Sequence, residues 1–176
     1  WETGTAQTSM LTALDMVIGQ LKGGSAMLGL DVLKTTAAAT PSVSRVDQKW
    51  ACKAGRGCGW VAKDPANPQP RPMYLNNKTD WVFAPDGLQL LASNGIQVTG
   101  SIYPRQQEKV ALQNLTTALA DGKSAIVWIR STALDARTGS EVTLNHFVTV
   151  IRVDAASKMV YVNDGALPNG QNKAIP

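Results

Sequence analysis

The chain has one histidine, two cysteines and two phenylalanines in 176 residues. A single histidine rules out a histidine-rich metal site, and zinc on the two cysteines would need two more ligands. No apolar run approaches the ~18 residues that span a bilayer. Charge is sparse at 17%, and the 17 Lys and Arg residues stand singly, with none of the runs that grip phosphates. A net charge of +4 is therefore too weak and too scattered to favour nucleic acid as partner. No basic stretch precedes an apolar one at the start, so no signal peptide is read there. A start at Trp1 reads as a piece of something longer, with any export signal outside it.

Hydrophobic residues make up 44%, ordinary for a globular domain, and the length fits one domain over residues 1–176. Met10, Leu11, Leu14, Val17, Ile18 and Leu21 recur at helical spacing, which predicts a helix over 8–21 with one apolar face, stopped by Gly23-Gly24. A weaker helix is expected over roughly 26–36. Residues 40–85 hold six of the nine prolines, both cysteines and three of the five tryptophans, and read as a loop-rich insertion with a short hairpin. Cys52 and Cys58 are separated by five residues, two of them glycine, so a local disulfide is feasible. Two free thiols, or half of a metal site, are the alternatives. Beyond Pro85, Asp86 is placed to cap a helix through Ser93, and Ile96 to Val98 is a strand candidate. A helix over 107–120 and strands over 125–129, 146–153 and 159–163 follow. Helices first and adjacent strands last argue for an α+β fold.

His146 begins the strand His-Phe-Val-Thr-Val-Ile-Arg-Val, and the next strand ends in Asn163-Asp164. A lone histidine beside a strand is more often structural than catalytic. Here, with a hairpin turn centred near Ala156, His146 and Asp164 fall at the same end of the ladder, within about two residues of register. A carboxylate there would fix the imidazole tautomer and stabilise its cation, the orienting role in triad chemistry. Asn163 is the substitute orienter.

These two strands resemble the His and Asp strands of papain-like cysteine peptidases, closest to the branch holding the leader-peptide-cleaving domains of bacteriocin transporters. Leu119-Ala-Asp-Gly-Lys-Ser-Ala-Ile-Val-Trp resembles the helix and Gly turn that feed the preceding strand in that branch. Gly4-Thr-Ala-Gln-Thr-Ser-Met-Leu11 has the form of the family's nucleophile helix, with Ala6 in the cysteine position. The resemblance covers roughly 4–24 and 86–170. It implies helices packed on a C-terminal antiparallel sheet, thiol-hydrolase chemistry without a cofactor, and a peptide, protein or peptidoglycan-peptide substrate. At a helix N-terminus, free N–H groups and the positive dipole end would stabilise a thiolate and an oxyanion. The family's oxyanion-donor Gln, several residues before the cysteine, has no match among the five residues preceding Ala6.

As written, then, the chain is expected to fold and bind but not cleave. Alanine at residue 6 is either a deliberate replacement of cysteine or the mark of a natural pseudoenzyme, and the intact His146 and Asp164 favour the former. A silenced fragment with a disulfide suits a secreted or delivered bacterial effector or toxin, with an immunity protein as partner. Rival readings are a non-catalytic binding module of the same fold and a basic nuclease-type toxin using His146. Gly57-Cys58-Gly59-Trp60 offers a rival nucleophile, but no amphipathic helix follows it. Asp64, Asp80 and Asp86 are too irregularly spaced for a carboxylate pair and read as solvated loop residues.

Overall fold

The computed structural model describes residues 6–53, 57–75, 80–134, 141–167 and 170–175. The first apolar segment forms helix α1, Ser9–Lys22, entered through a 3-10 turn over Ala6–Thr8. Instead of one buried face, every residue from Ser9 to Ile18 is buried. Helices α2 (Leu30–Ala39) and α3 (Ala84–Ser93) and strands β5 (Ala125–Leu134) and β6 (Glu141–Asp154) all pack against α1. A helix enclosed on all sides must satisfy its polar groups internally. Thr12 donates to the Thr8 carbonyl at 3.1 Å, and both carboxylate oxygens of Asp15 accept backbone amides, those of Leu28 (2.7 Å) and Gly29 (3.1 Å).

That Asp15 clamp also moves the second helix. The expected start near Ala26 is only a 3-10 turn over Gly24–Ala26. The chain then runs through Gly29, at φ +83, where glycine carries no steric penalty. Asp15 holds that entry outside helical geometry, and α2 begins at Leu30.

Residues 40–85 are less loop-like than expected. Strand β1 (Pro41–Val46) pairs antiparallel with β4 (Pro70–Pro72), a two-stranded ribbon on which proline is tolerated. Strands β2 (Gln48–Lys53) and β3 (Gly57–Ala62) form the cysteine hairpin, with Cys52 opposite Cys58 and Trp50 opposite Trp60. Among the described residues, none of this hairpin belongs to either hydrophobic cluster. Met73, Tyr74 and Val82, by contrast, join the core around α1. Cys52 is disulfide-bonded, and Cys58 is the one other cysteine in the chain. The free-thiol and metal alternatives fall away, and with them the rival nucleophile.

Asp86 does not cap α3, whose N-cap is Phe83. It is fully buried and reaches across to β1 instead. Its carboxylate accepts from Ser42 Oγ (2.9 and 2.8 Å), Ser44 Oγ (3.1 Å) and the Val43 amide (2.8 Å), and Arg45 Nη2 lies 3.6 Å away. Asp80 is also buried, paired with Arg45 at 2.9 Å and Arg71 at 2.6 Å. The solvated-loop reading therefore holds for Asp64, which is exposed, and not for Asp80 or Asp86. Ser42 reaches Asp86 across 44 residues of chain and Arg45 reaches Asp80 across 35, pairings no local spacing encodes.

Ile96 to Val98 is not a strand. Ile96 donates back to the Leu91 carbonyl at 3.2 Å, with Gly95 at φ +71, so the segment terminates α3. Helix α4 spans Glu108–Ala120. Strands β5, β6, β7 (Met159–Asn163) and β8 (Lys173–Ile175) form one antiparallel sheet in that order. Strand β8 was not anticipated; three residues carry too little pattern. The sheet has a helix on each face. Ile126 and Phe147 pack with α1, and Thr149 donates to the Ala13 carbonyl at 3.3 Å. Val148, Val150 and Val162 pack with Leu115 and Leu119 of α4. The fold is α+β, with antiparallel sheets. No helix among the described residues is long and apolar enough to cross a membrane.

Candidate functional site

His146 lies on β6 opposite Ile129, in the buried middle of the sheet's width. Strand β7 pairs with β6 up to Asn163, opposite Thr149. Asp164 follows directly. The ladder is irregular between Val150 and Arg152, so Ile151 is an extra residue, a bulge. The bulge sets which way Asp164 points. Nearer the turn, Val153 pairs with Val160 and Arg152 with Tyr161; continued without a bulge, that register would set Asp164 opposite Thr149. Beyond the bulge, Val150 pairs with Val162 and Thr149 with Asn163, and one further step sets Asp164 opposite Val148. Because side chains alternate with period two, only the shifted register puts Asp164 on the face of His146.

The two side chains meet there. His146 Nε2 lies 2.9 Å from Asp164 Oδ2, and both residues are about 1% exposed. The second carboxylate oxygen, Oδ1, accepts the Ala166 amide at 3.0 Å. The Asp164 backbone is held as well: its amide donates to the Gly170 carbonyl (2.8 Å) and its carbonyl accepts from Leu167 (3.2 Å). A carboxylate so fixed sets the tautomer. With Nε2 as the donor to Asp164, Nδ1 keeps its lone pair. Nδ1 is buried and makes no hydrogen bond. Asn163, the substitute orienter, is engaged elsewhere, its Oδ1 accepting the Asn172 amide at 3.0 Å.

The start of α1 touches the strand that carries this ring, on the backbone of the neighbouring residue. Past the end of β7, the Phe147 amide finds no strand partner and donates to Ser9 Oγ at 3.1 Å. Ser9 is in the first turn of α1, and Phe147 is the residue after His146. Ala6 begins the 3-10 turn that leads into Ser9. That turn packs against the strand that carries the imidazole. The side chain of Ala6 and residues 1–5 lie outside the described residues. Ser9 was not singled out in the sequence; its position one turn after Ala6 was the available signal.

The environment is dry. An imidazole at 1% exposure is shut off from solvent, and an open hollow of about 550 Å³ against α2, lined by Asp31, Lys34, Thr35, Ala38 and Ala39, includes no residue of the site. Near the sheet rim, Trp128 is 59% exposed and tilted against Phe147, ring centres 5.2 Å apart. Among the described residues no group of three His, Cys, Asp or Glu side chains is placed to hold a metal ion. Chemically, a neutral imidazole with a bare Nδ1 and a carboxylate behind it can accept a proton and stabilise the resulting cation.

No protein-family model, curated protein or solved structure matches the chain.

Proposed function

We propose that the chain is a thiol hydrolase domain of papain-like type, a cysteine peptidase or amidase, silent as written because residue 6 is alanine. The observation that carries the reading is the ring of His146, anchored through Nε2 to Asp164 and bare at Nδ1, on a strand whose next residue bonds the first turn of α1. With cysteine at residue 6, Nδ1 takes the thiol proton and the thiolate attacks an amide carbonyl carbon. The C–N bond breaks as Nδ1 returns the proton to the leaving amine, leaving an acyl thioester. Nδ1 then takes a proton from water, the hydroxide attacks the thioester, and the C–S bond breaks to release acid and thiolate. Asp164 stabilises the imidazolium in both halves. The same chemistry serves peptide cleavage, peptidoglycan-peptide hydrolysis and glutamine deamidation. The biological setting that fits is a secreted or delivered effector neutralised by an immunity protein.

One observation favours a second reading, a non-catalytic binding module of the same fold: the imidazole is sealed from solvent. The nuclease reading loses its cationic cluster, because the Arg152 guanidinium is stacked over Tyr161, 3.5 Å from the ring centre.

Iodoacetamide labelling of Ala6→Cys decides between the first two. An ordinary cysteine is about 0.1% thiolate near pH 5.5, whereas one lowered to about pH 4 by a histidine is almost wholly ionised. The ~1000-fold gain in thiolate is offset by roughly 100-fold in nucleophilicity, leaving labelling about tenfold faster. The rate should stay flat from about pH 8 to pH 5 and lose that plateau in Ala6→Cys/His146→Ala. A rate that follows an unperturbed thiol, and is indifferent to His146, sinks the hydrolase reading in favour of the binding module.

A further inference from the structure

The segment between β7 and β8 does more than reverse the chain. Asp164 is gripped by it at three points, its amide on Gly170, its carbonyl under Leu167 and Oδ1 under Ala166, while Oδ2 meets His146 on β6. Gly170 is buried at the closing end, and its amide donates to the Leu167 carbonyl at 3.2 Å. A Cβ at residue 170 would overlap the Asp164 carbonyl oxygen and sit 2.8 Å from its carbonyl carbon and 3.0 Å from its Cβ. All three atoms belong to the backbone or its first side-chain carbon, so no rotamer change relieves the overlap. The backbone contact between residues 164 and 170 has to open.

We infer that Gly170 is a positioning residue for the imidazole: the missing side chain lets the chain close on Asp164 and aim its carboxylate at His146 Nε2. This deepens the hydrolase reading and rests on it for its functional meaning. Displacing Asp164 lengthens a 2.9 Å contact in a dry site, where no water replaces it. The ring then loses its fixed tautomer, and Nδ1 carries the proton in part of the population. A protonated, uncharged Nδ1 cannot accept the thiol proton.

The chain's only histidine makes the readout direct, because its ring nitrogens give a single pair of ¹⁵N signals. In the parent, the spectrum near neutral pH should show one tautomer with the proton on Nε2. Gly170→Ala should shift both signals toward the averaged values of mixed tautomers, in the direction of Asp164→Asn. Gly122→Ala is the control: Gly122 is at φ +74 with nothing within 4 Å of an added Cβ, so it strains the backbone away from the site and leaves the ring signals unchanged. In the Ala6→Cys background, Gly170→Ala should remove the roughly tenfold labelling advantage near pH 5.5. Ring signals in Gly170→Ala identical to the parent overturn the inference, whatever the thiol does. Shifted ring signals with a thiol that was never activated uphold Gly170 and sink the hydrolase reading alone. Should Gly170→Ala fail to fold, hydrogen exchange in the parent answers the question. The Asp164 amide and the Nε2 proton should be lost together as urea is raised below the unfolding transition. Loss of the amide first, with the ring proton intact, overturns the inference.

Discussion

Replacing Asp164 with alanine tests the buried pair without reference to any activity. The substitution strands two donors, Nε2–H of His146 and the Ala166 amide, in a region where both His146 and Asp164 are about 1% exposed. The ring already has one bare nitrogen, so without Asp164 it would be buried with neither nitrogen paired. Each orphaned buried group costs about 1–3 kcal/mol, so the loss should be roughly 2–5 kcal/mol. For a chain of this size, 1 kcal/mol moves Tm by about 2–4 °C, giving a fall of about 5–20 °C by far-UV circular dichroism. A double-mutant cycle with His146→Ala sharpens the test. Once the carboxylate is gone, removing the ring also removes an unsatisfied group, so the double variant should be more stable than additivity predicts by about 1.5–3 kcal/mol. A Tm for Asp164→Ala within about 2 °C of the parent would refute the pairing, since orphaned buried donors cannot be that cheap. Strict additivity in the cycle would refute it equally.

Three further outcomes follow from the same structure. Asp86→Ala leaves Arg45 to Asp80 alone and Ser42, Ser44 and Val43 without their acceptor, so it should cost about 3–5 kcal/mol; chemical denaturation within 1 kcal/mol of the parent would show that the cluster is not structural. The Cys52–Cys58 loop is short, so loop entropy limits its disulfide to about 2 kcal/mol. Because the hairpin joins neither core cluster, reduction should speed amide exchange over 48–62 while β5 to β7 stay protected; loss of protection in those strands would contradict it. The Asp154 carboxyl is held below its ordinary 3.8, first by the Ser157 hydroxyl, then by backbone amides and Arg152. Its folded value being depressed, its contribution is complete above 3.8 and lost as pH falls through the lower folded value. Asp154→Asn should therefore flatten that part of the acid limb in urea midpoints, and an unchanged limb would place its origin elsewhere.

Much of the sheet and of α1 was legible in the sequence, because apolar spacing and turn residues act locally. Met10 to Leu21 marked a helix, and Asp154 to Lys158 marked the turn that brings Asp164 toward His146. What was illegible depends on partners distant in sequence. Nothing near Asp86 announces Ser42, and nothing near Asp15 announces that it will hold Leu28 and Gly29 and so delay α2. The polar residues 80 and 86 looked solvated because a buried carboxylate is disclosed only by what surrounds it. The site was legible as a juxtaposition of His146 and Asp164, but their facing was not: the turn count fixes which end of the ladder they share, and the bulge at Ile151 decides the side.

That bulge makes the meeting of ring and carboxylate a question of odd or even. Pair the bulged Ile151 into the ladder, with no residue lost, and Asp164 slides opposite Thr149 and looks out of the sheet's other surface toward α1, with every chemical group still present. A chain of the same length that lost the bulge would lose the pair, with neither partner altered, whereas deleting the bulged residue itself would keep Val150 against Val162 and the pair in register. A survey that compared only the identities at 146 and 164 would score the two chains as equal.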